Sequence, residues 1–247
     1  MNAKTTPPAI TQPRVVFQDL GLIPYKQAWD YQTQLHQTLV QRKLHNRSLP
    51  PEQQQPQRHY LLFCTHPHVY TLGKSGSLDH LLLDEAALRR RGIEFYKINR
   101  GGDITYHGPG QIVGYPIFDL DELFTDVHRY VRMLEEVIIR TLAEYGLEGM
   151  RIPKYTGVWL AGSDVLPQRK ICAIGVHLSR WVTMHGFAFN VNTDLTYFRN
   201  IIPCGISDEN KAVTSLALEL SHQVDEDEVR QKLKKHFSEL FGFEWVV

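Results

Sequence analysis

The chain has 247 residues, with 27 basic and 27 acidic side chains and a net charge of zero. Its 43% hydrophobic and 22% charged content is that of an ordinary globular protein, which excludes a disordered polyelectrolyte, and no run of about 18 apolar residues occurs, which excludes a spanning helix. The balanced charge gives no support to a general nucleic-acid binder, so neither nucleic acid nor membrane is expected as a partner.

Residues 1–13 are proline-containing and offer little to bury, so they read as a flexible N-terminal tail. Val15 to Leu20 reads as a strand. Pro24 then opens a helix in which Ala28, Tyr31, Leu35 and Leu39 form an apolar stripe. Asn46 to Gln57, with three prolines and a glutamine run, is a surface loop. Tyr60 to Cys64 has the continuous apolar pattern of a strand buried on both faces. Asp84 caps a helix through Arg91, with Gly92 as its stop. Ile93–Ile98 and Gln111–Phe118 are strands.

Asp126 to Tyr145 is the clearest helix. Val127, Val131, Leu134, Ile138, Leu142 and Tyr145 recur every three or four residues, and Gly146 ends it. Lys170–Ser179 and Val182–Asn192 are strands joined as a hairpin around Ser179-Arg180-Trp181. Asp225 and Glu228 form a capping box for a last helix to Phe241. Strands and helices are interspersed without strict alternation. That predicts an α+β fold, a mixed β-sheet flanked by helices, with residues 14–247 as one domain.

Three cysteines, Cys64, Cys172 and Cys204, cannot all pair within one chain, and so sparse and odd a count fits a reducing compartment. Residues 1–14 lack the apolar segment of a secretory signal. The expected location is cytoplasmic.

The densest chemical signal is Arg100, Gly101, Gly102, Asp103, Ile104, Thr105, Tyr106 and His107, followed by Gly-Pro-Gly-Gln111. Glycines let a backbone approach a ligand closely, and exposed N–H groups can hold a carbonyl, carboxylate or phosphate. Glycines alone can equally mark a turn between strands; the arginine, tyrosine and histidine in the same run favour a site. The run is neither a Walker loop nor a dinucleotide fingerprint.

Cys204, between Pro203 and Gly205, sits on a constrained turn that can present a thiol to a cleft, although free cysteines are ordinarily small buried apolar residues. Cys64, inside an apolar strand, follows the ordinary pattern. Cys172 is the competitor to Cys204. In a regular strand Lys170 and Cys172 face one side, and Ile171 and Ala173 the other. Lys170 opens that strand, and a lysine near a thiol lowers its pKa and can return a proton to a leaving group. The common alternative is a solvated strand-end lysine. The histidines, His66, His68, His107, His177 and His185, show no metal-binding spacing, so no metal is expected. His185 reads as well as a hydrogen-bonded core residue as a site residue.

The run from Arg100 to Tyr115 closely resembles the signature of the lipoyl(octanoyl) transferase family. His66–Gly73, Gly157–Trp159, Lys170–Gly175, Trp181–Asn190 and Pro203–Ile206 resemble further blocks in the same order, over about residues 15–240. Cys172 and the Pro/Gln-rich stretch at 48–57 are the departures. The resemblance implies the fold of the biotin and lipoate protein ligase catalytic domains. It implies transfer of an octanoyl group from the thioester of acyl carrier protein to a lysine of lipoyl domains, those of 2-oxoacid dehydrogenase complexes and the glycine cleavage H protein, without a cofactor. The catalytic pair it implies is Cys204 and Lys170. The substrate-binding residues it implies are Arg100 to His107, Ala173, Ile174, Gly175, His185, Gly186 and Ala188.

On this reading Cys204 takes the acyl group, Lys170 moves the protons, and oxyanion donors come from backbone near Cys204 and Gly205 or from the glycine loop. Arg100 orients the loop or a carbonyl, because a guanidinium does not deprotonate. Arg89-Arg-Arg91 is a candidate docking run for the acidic carrier, and equally a solvated helix end. The rival functions are an ATP-dependent lipoate ligase of the same fold, a cysteine thioesterase, and a non-catalytic binder of lipoyl domains.

Overall fold

A computed structural model of the protein describes residues 12–202 and 211–246. The tail expected at 1–13 therefore lies almost wholly outside the described residues, and Pro203–Ile206, with Cys204, lies outside them entirely.

The elements in order are β1 (Arg14–Leu22), α1 (Tyr25–Asn46), β2 (His59–Thr65), β3 (Val69–Leu72), α2 (Glu85–Arg90), β4 (Glu94–Lys97), β5 (Ile104–His107), β6 (Gln111–Ile117), α3 (Val127–Ala143), β7 (Gly149–Ile152), β8 (Tyr155–Leu160), β9 (Gln168–Ser179), β10 (Val182–Asn190), β11 (Lys211–Val213), α4 (Leu216–Leu220), α5 (Glu226–Phe241) and β12 (Glu244–Val246). One mixed sheet runs β12-β1-β2-β6-β10-β9-β8-β7, with β11 added beside β9; a small second sheet runs β4-β3-β5. The expected α+β architecture is the observed one.

The alternation along β2 shows why the large sheet is covered on both faces. Leu61 and Phe63 pack with Phe187 and Phe189 of β10 into a core closed by Leu134 and Ile138 of α3 and Leu233 and Phe237 of α5. Leu62 and Cys64 point the other way, with Val113, Tyr115 and Ala188, against Ala28, Leu35 and Leu39 of α1. The helix starts follow their caps. Asp126 accepts from Arg129 N at 2.9 Å, Asp84 from Ala87 N at 2.6 Å, and Asp225 from Asp227 N at 2.9 Å. The last bond replaces the one expected across the capping box.

Two polar residues interrupt the stripe of α1. Gln32 and Lys43 are both buried, and Lys43 Nζ donates to Asp119 Oδ1 at 2.7 Å and to Arg180 O at 2.8 Å. That pair ties α1 to the hairpin turn, where Arg180 and Trp181 both take left-handed φ of 50° and 64° between the paired residues Ser179 and Val182. Two left-handed residues form the turn whose twist suits a tight hairpin. Among the described residues no helix is long and apolar enough to cross a membrane.

Of the small sheet, the sequence reading contains β4, as Ile93–Ile98, but neither β3 nor β5. Its β5 lies inside the glycine-rich run, pairing Ile104–His107 antiparallel with Leu72–Val69. Its role is to hold that run against the large sheet.

Candidate active site

A cavity of about 300 Å³ lies over one face of the β9–β10 pair. Its floor comes from adjacent cross-strand pairs of small residues, Ala173 with Ala188 and Gly175 with Gly186, and Val113 continues it on β6 opposite Ala188. Side chains of this size leave a slot for a thin apolar group.

The residues from Arg100 to Thr105 line the other side. Arg100 is 8% exposed. Its Nη2 donates to Thr71 O at 2.7 Å and Thr71 Oγ1 at 3.0 Å, and its Nη1 to Gly101 O at 3.0 Å. Gly101 N–H donates to Val176 O at 2.9 Å, joining the loop to β9 and committing that amide. Asp103 pairs with His80 and accepts from Ile104 N. The approach is close enough to require glycine. A Cβ on Gly175 would lie 2.9 Å from Gly101 O and 3.0 Å from Arg100 Cδ, and Gly102 has φ +86°.

Three imidazoles around this cavity are held neutral. His107 lies between Gln111 Oε1 at 2.9 Å and Thr71 Oγ1 at 3.3 Å and stacks on Tyr25 at 5.8 Å; burial pulls its pKa down to about 3. His185 places Nε2 2.8 Å from Asn99 Oδ1, and burial, with the Arg100 charge, pulls its pKa to about 3. His66, behind the cavity wall and 2.7 Å from Tyr115 OH, falls to about 4 through burial. Among the described residues no group of three or more metal-ligating side chains is placed to hold an ion.

Tyr106 parts company with its neighbours. It stacks on Tyr197 at 5.0 Å, and its hydroxyl lies 2.7 Å from His68 Nδ1, away from the cavity lining. Arg89 and Arg90 are exposed at the end of α2, and Arg91 donates to Asn200; the run does not line the cavity.

Lys170 owes its position to an irregularity that alternation could not reveal. On β8, Val158 pairs with Cys172, but the next residue, Trp159, pairs with Lys170. Ile171 is thus an extra residue on β9, and a bulge of this kind re-aims side chains. Lys170 lines the cavity with Nζ 4.6 Å from the Trp159 ring centroid. Ile171 and Cys172 both enter the core. The expectation that Lys170 and Cys172 share a side is therefore corrected: the bulge separates them. Cys172 is fully buried, and burial pushes its thiol well above the ordinary range. Cys64 is likewise buried.

Of the candidate positions, Lys170, Arg100 to Thr105, His107, Ala173 to Gly175, His185, Gly186 and Ala188 line one cavity. Cys204 falls outside the described residues, but both flanks of its segment reach this cavity. Phe198 and Val213 line it, and Val213 pairs with Lys170. Sequence reasoning did not find Tyr25 or Asn190. Asn190 stood in a matched block, whereas nothing marked the first residue of α1.

Residues 24–238 match the family described as the lipoyl protein ligase A/B catalytic domain. The chain is 57% identical to an octanoyltransferase of Cytophaga hutchinsonii over 231 residues, which cover 94% of each chain. It is 60% identical to an octanoyltransferase of Flavobacterium johnsoniae, covering 94% of this chain and 99% of the other. Its fold is similar to that of a putative lipoate protein ligase from T. acidophilum with bound lipoic acid, at a TM-score of 0.65 and 17% identity, covering 96% of this chain and 88% of that one. A lipoate-protein ligase A bound with ATP is similar at a TM-score of 0.64 and 18% identity, covering 96% and 90%.

Proposed function

The chain belongs to the lipoyl protein ligase A/B catalytic domain family, and from that premise we propose that it moves an octanoyl group from the thioester of acyl carrier protein to a lysine of a lipoyl domain, with Cys204 as the nucleophile and Lys170 as the proton carrier. The observation that carries the reading is the bulge at Ile171, with Lys170 turned into a slot floored by alanine and glycine. Burying an alkyl chain there contributes about 0.8 kcal/mol per methylene.

The Cys204 thiolate adds to the thioester carbon. The resulting oxyanion collapses, a new sulfur–carbon bond to Cys204 remains, and the bond to the carrier's sulfur breaks. Lys170 Nζ gives that sulfur its proton. Neutral Lys170 then takes a proton from the incoming lysine amine, whose nitrogen attacks the acyl-enzyme. The amide forms, the Cys204 thiolate leaves, and Lys170 is again an ammonium. Gly101 N–H, bound to Val176 O, is not the oxyanion donor, so the donor is sought elsewhere in the backbone around the slot. The acceptors are lipoyl domains such as those of 2-oxoacid dehydrogenase complexes and the glycine cleavage H protein.

The test is intact-mass analysis after incubation with octanoyl-carrier and no nucleotide. An octanoyl adduct is expected in wild type and in Cys172→Ala, and none in Cys204→Ala; adding an apo-lipoyl domain should discharge it. An adduct that needs ATP and free acid, or release of octanoate without an amine acceptor, would replace the proposal by a ligase or a thioesterase.

A further inference from the structure

From Lys170 to Val176, β9 spans about 20 Å. Along it the small pairs Ala173–Ala188 and Gly175–Gly186 are followed by the pair Val176–His185. The lining changes character at that pair. His185 sits in mid-strand at φ +60°, a conformation that strains most side chains and persists only where the surroundings enforce it. Its N–H donates to Gln32 Oε1 at 3.1 Å, and its Nε2 is bonded to Asn99. Its Nδ1 is buried and has no hydrogen-bond partner among the described residues. Arg100, whose charge acts on His185, brings a buried guanidinium to the same lining.

An alkyl chain following the small residues therefore meets imidazole and guanidinium. Neither gains from further methylene contact, and each extra methylene forced there would remain beside the buried His185 Nδ1, whose hydrogen-bonding capacity it cannot satisfy. Building on the acyl-transfer reading above, we infer that His185 is a specificity residue, the wall that ends the acyl slot and sets the length of chain accepted.

The test is His185→Gly. Glycine adopts φ +60° without strain, so the side chain is removed while the backbone keeps its course. Wild type and variant are compared on acyl-carrier thioesters of graded length. The ratio of kcat/KM for a twelve-carbon over an eight-carbon chain should rise by about tenfold or more in H185G, in proportion to the methylenes newly accommodated. His185→Asn, which tolerates the same backbone and keeps a polar head, should shift the ratio less. An unchanged ratio with eight-carbon turnover retained overturns the inference. So does an equal loss at every length in a variant whose Tm matches wild type. Wild type that turns over no acyl thioester defeats the acyl-transfer reading and this inference with it, an outcome distinct from a variant whose length profile does not move.

Discussion

His107 Nδ1 lies 2.9 Å from Gln111 Oε1, and that contact fixes the direction of a hydrogen-bond chain along the cavity wall. Gln111 spends Nε2 on Asn190 Oδ1 and Tyr106 O, so its Oε1 is the acceptor and His107 Nδ1 carries the proton. His107 Nε2 is then the acceptor for Thr71 Oγ1, which itself accepts from Arg100. At the other end Asn190 Nδ2 donates to Thr214 O, and Thr214 N–H donates to Lys170 O. The loop cation and the Lys170 backbone are thus joined by groups of fixed polarity.

Gln111→Glu should break that chain at its centre. A carboxylate cannot donate to Asn190 Oδ1, so two acceptors would face each other in a buried site. The expected cost is about 1–3 kcal/mol of stability, with a loss of kcat/KM from a displaced wall. Urea midpoints and steady-state kinetics on the same preparation check it; equal midpoints for the variant and wild type would mean the chain is not under the constraint described.

The neutral histidines predict how stability depends on pH. His107 and His185 are drawn to about 3 and His66 to about 4, in each case chiefly by burial, against an unfolded value of 6.5. Between those limits the unfolded chain binds the extra protons. Their contribution is therefore complete above the unfolded value and is lost as pH falls toward the folded ones, by up to about 1.4 kcal/mol per pH unit for each group. Thermal melts from about pH 7.5 to about pH 5 should show a progressive fall in Tm, and His66→Phe should flatten it. A Tm constant over that interval would contradict the neutral assignment.

Gly175 tests how tightly the loop is applied to the sheet. A Cβ there meets Gly101 O and Arg100 Cδ at 2.9 and 3.0 Å, and the first is backbone that cannot swing aside. Gly175→Ala should destabilise by about 1–3 kcal/mol, as overpacking does, and should raise KM for the acyl donor by narrowing the slot. Gly146→Ala, where an added Cβ would meet nothing within 4 Å among the described residues beyond its chain neighbours but φ is +73°, separates backbone strain from collision: it should lose stability and leave KM unchanged.

The sequence made the large elements legible where one physical signal repeated. α3 declared itself by a stripe from Val131 to Leu142 between Asp126 and Gly146, and β2 by an unbroken apolar run. The four-residue strands β3 and β5 carry too few positions for a period, and β5 was hidden among glycines that pointed to a turn. The cavity wall was readable because Arg100 to His107 concentrates glycine and polar tips in one place. The same run holds Tyr106, whose side chain β5 turns toward Tyr197 and away from the cavity lining, a direction that composition alone does not reveal. The side on which Lys170 lies depended on one surplus residue, Ile171. A bulge is a property of the pairing between β8 and β9, so no inspection of β9 alone could reveal it.

That surplus residue makes Lys170 the most informative position for chemistry. Lys170→Met keeps an unbranched chain over the Trp159 ring and removes the charge and the proton. On the acyl-transfer reading, turnover near neutral pH should fall by about 10²–10⁴, the usual contribution of a positioned proton carrier. The variant should also regain part of its acylation rate as pH rises toward the ordinary thiol pKa of about 8.5, because the thiolate would then form without a neighbouring cation. Steady-state turnover near neutral pH and single-turnover acylation from about pH 6.5 to about pH 9.5, followed by mass, read the two effects. Undiminished turnover near neutrality would remove Lys170 from the reaction. A turnover deficit beside acylation at the wild-type rate would confine Lys170 to the later step, in which the acceptor amine loses its proton.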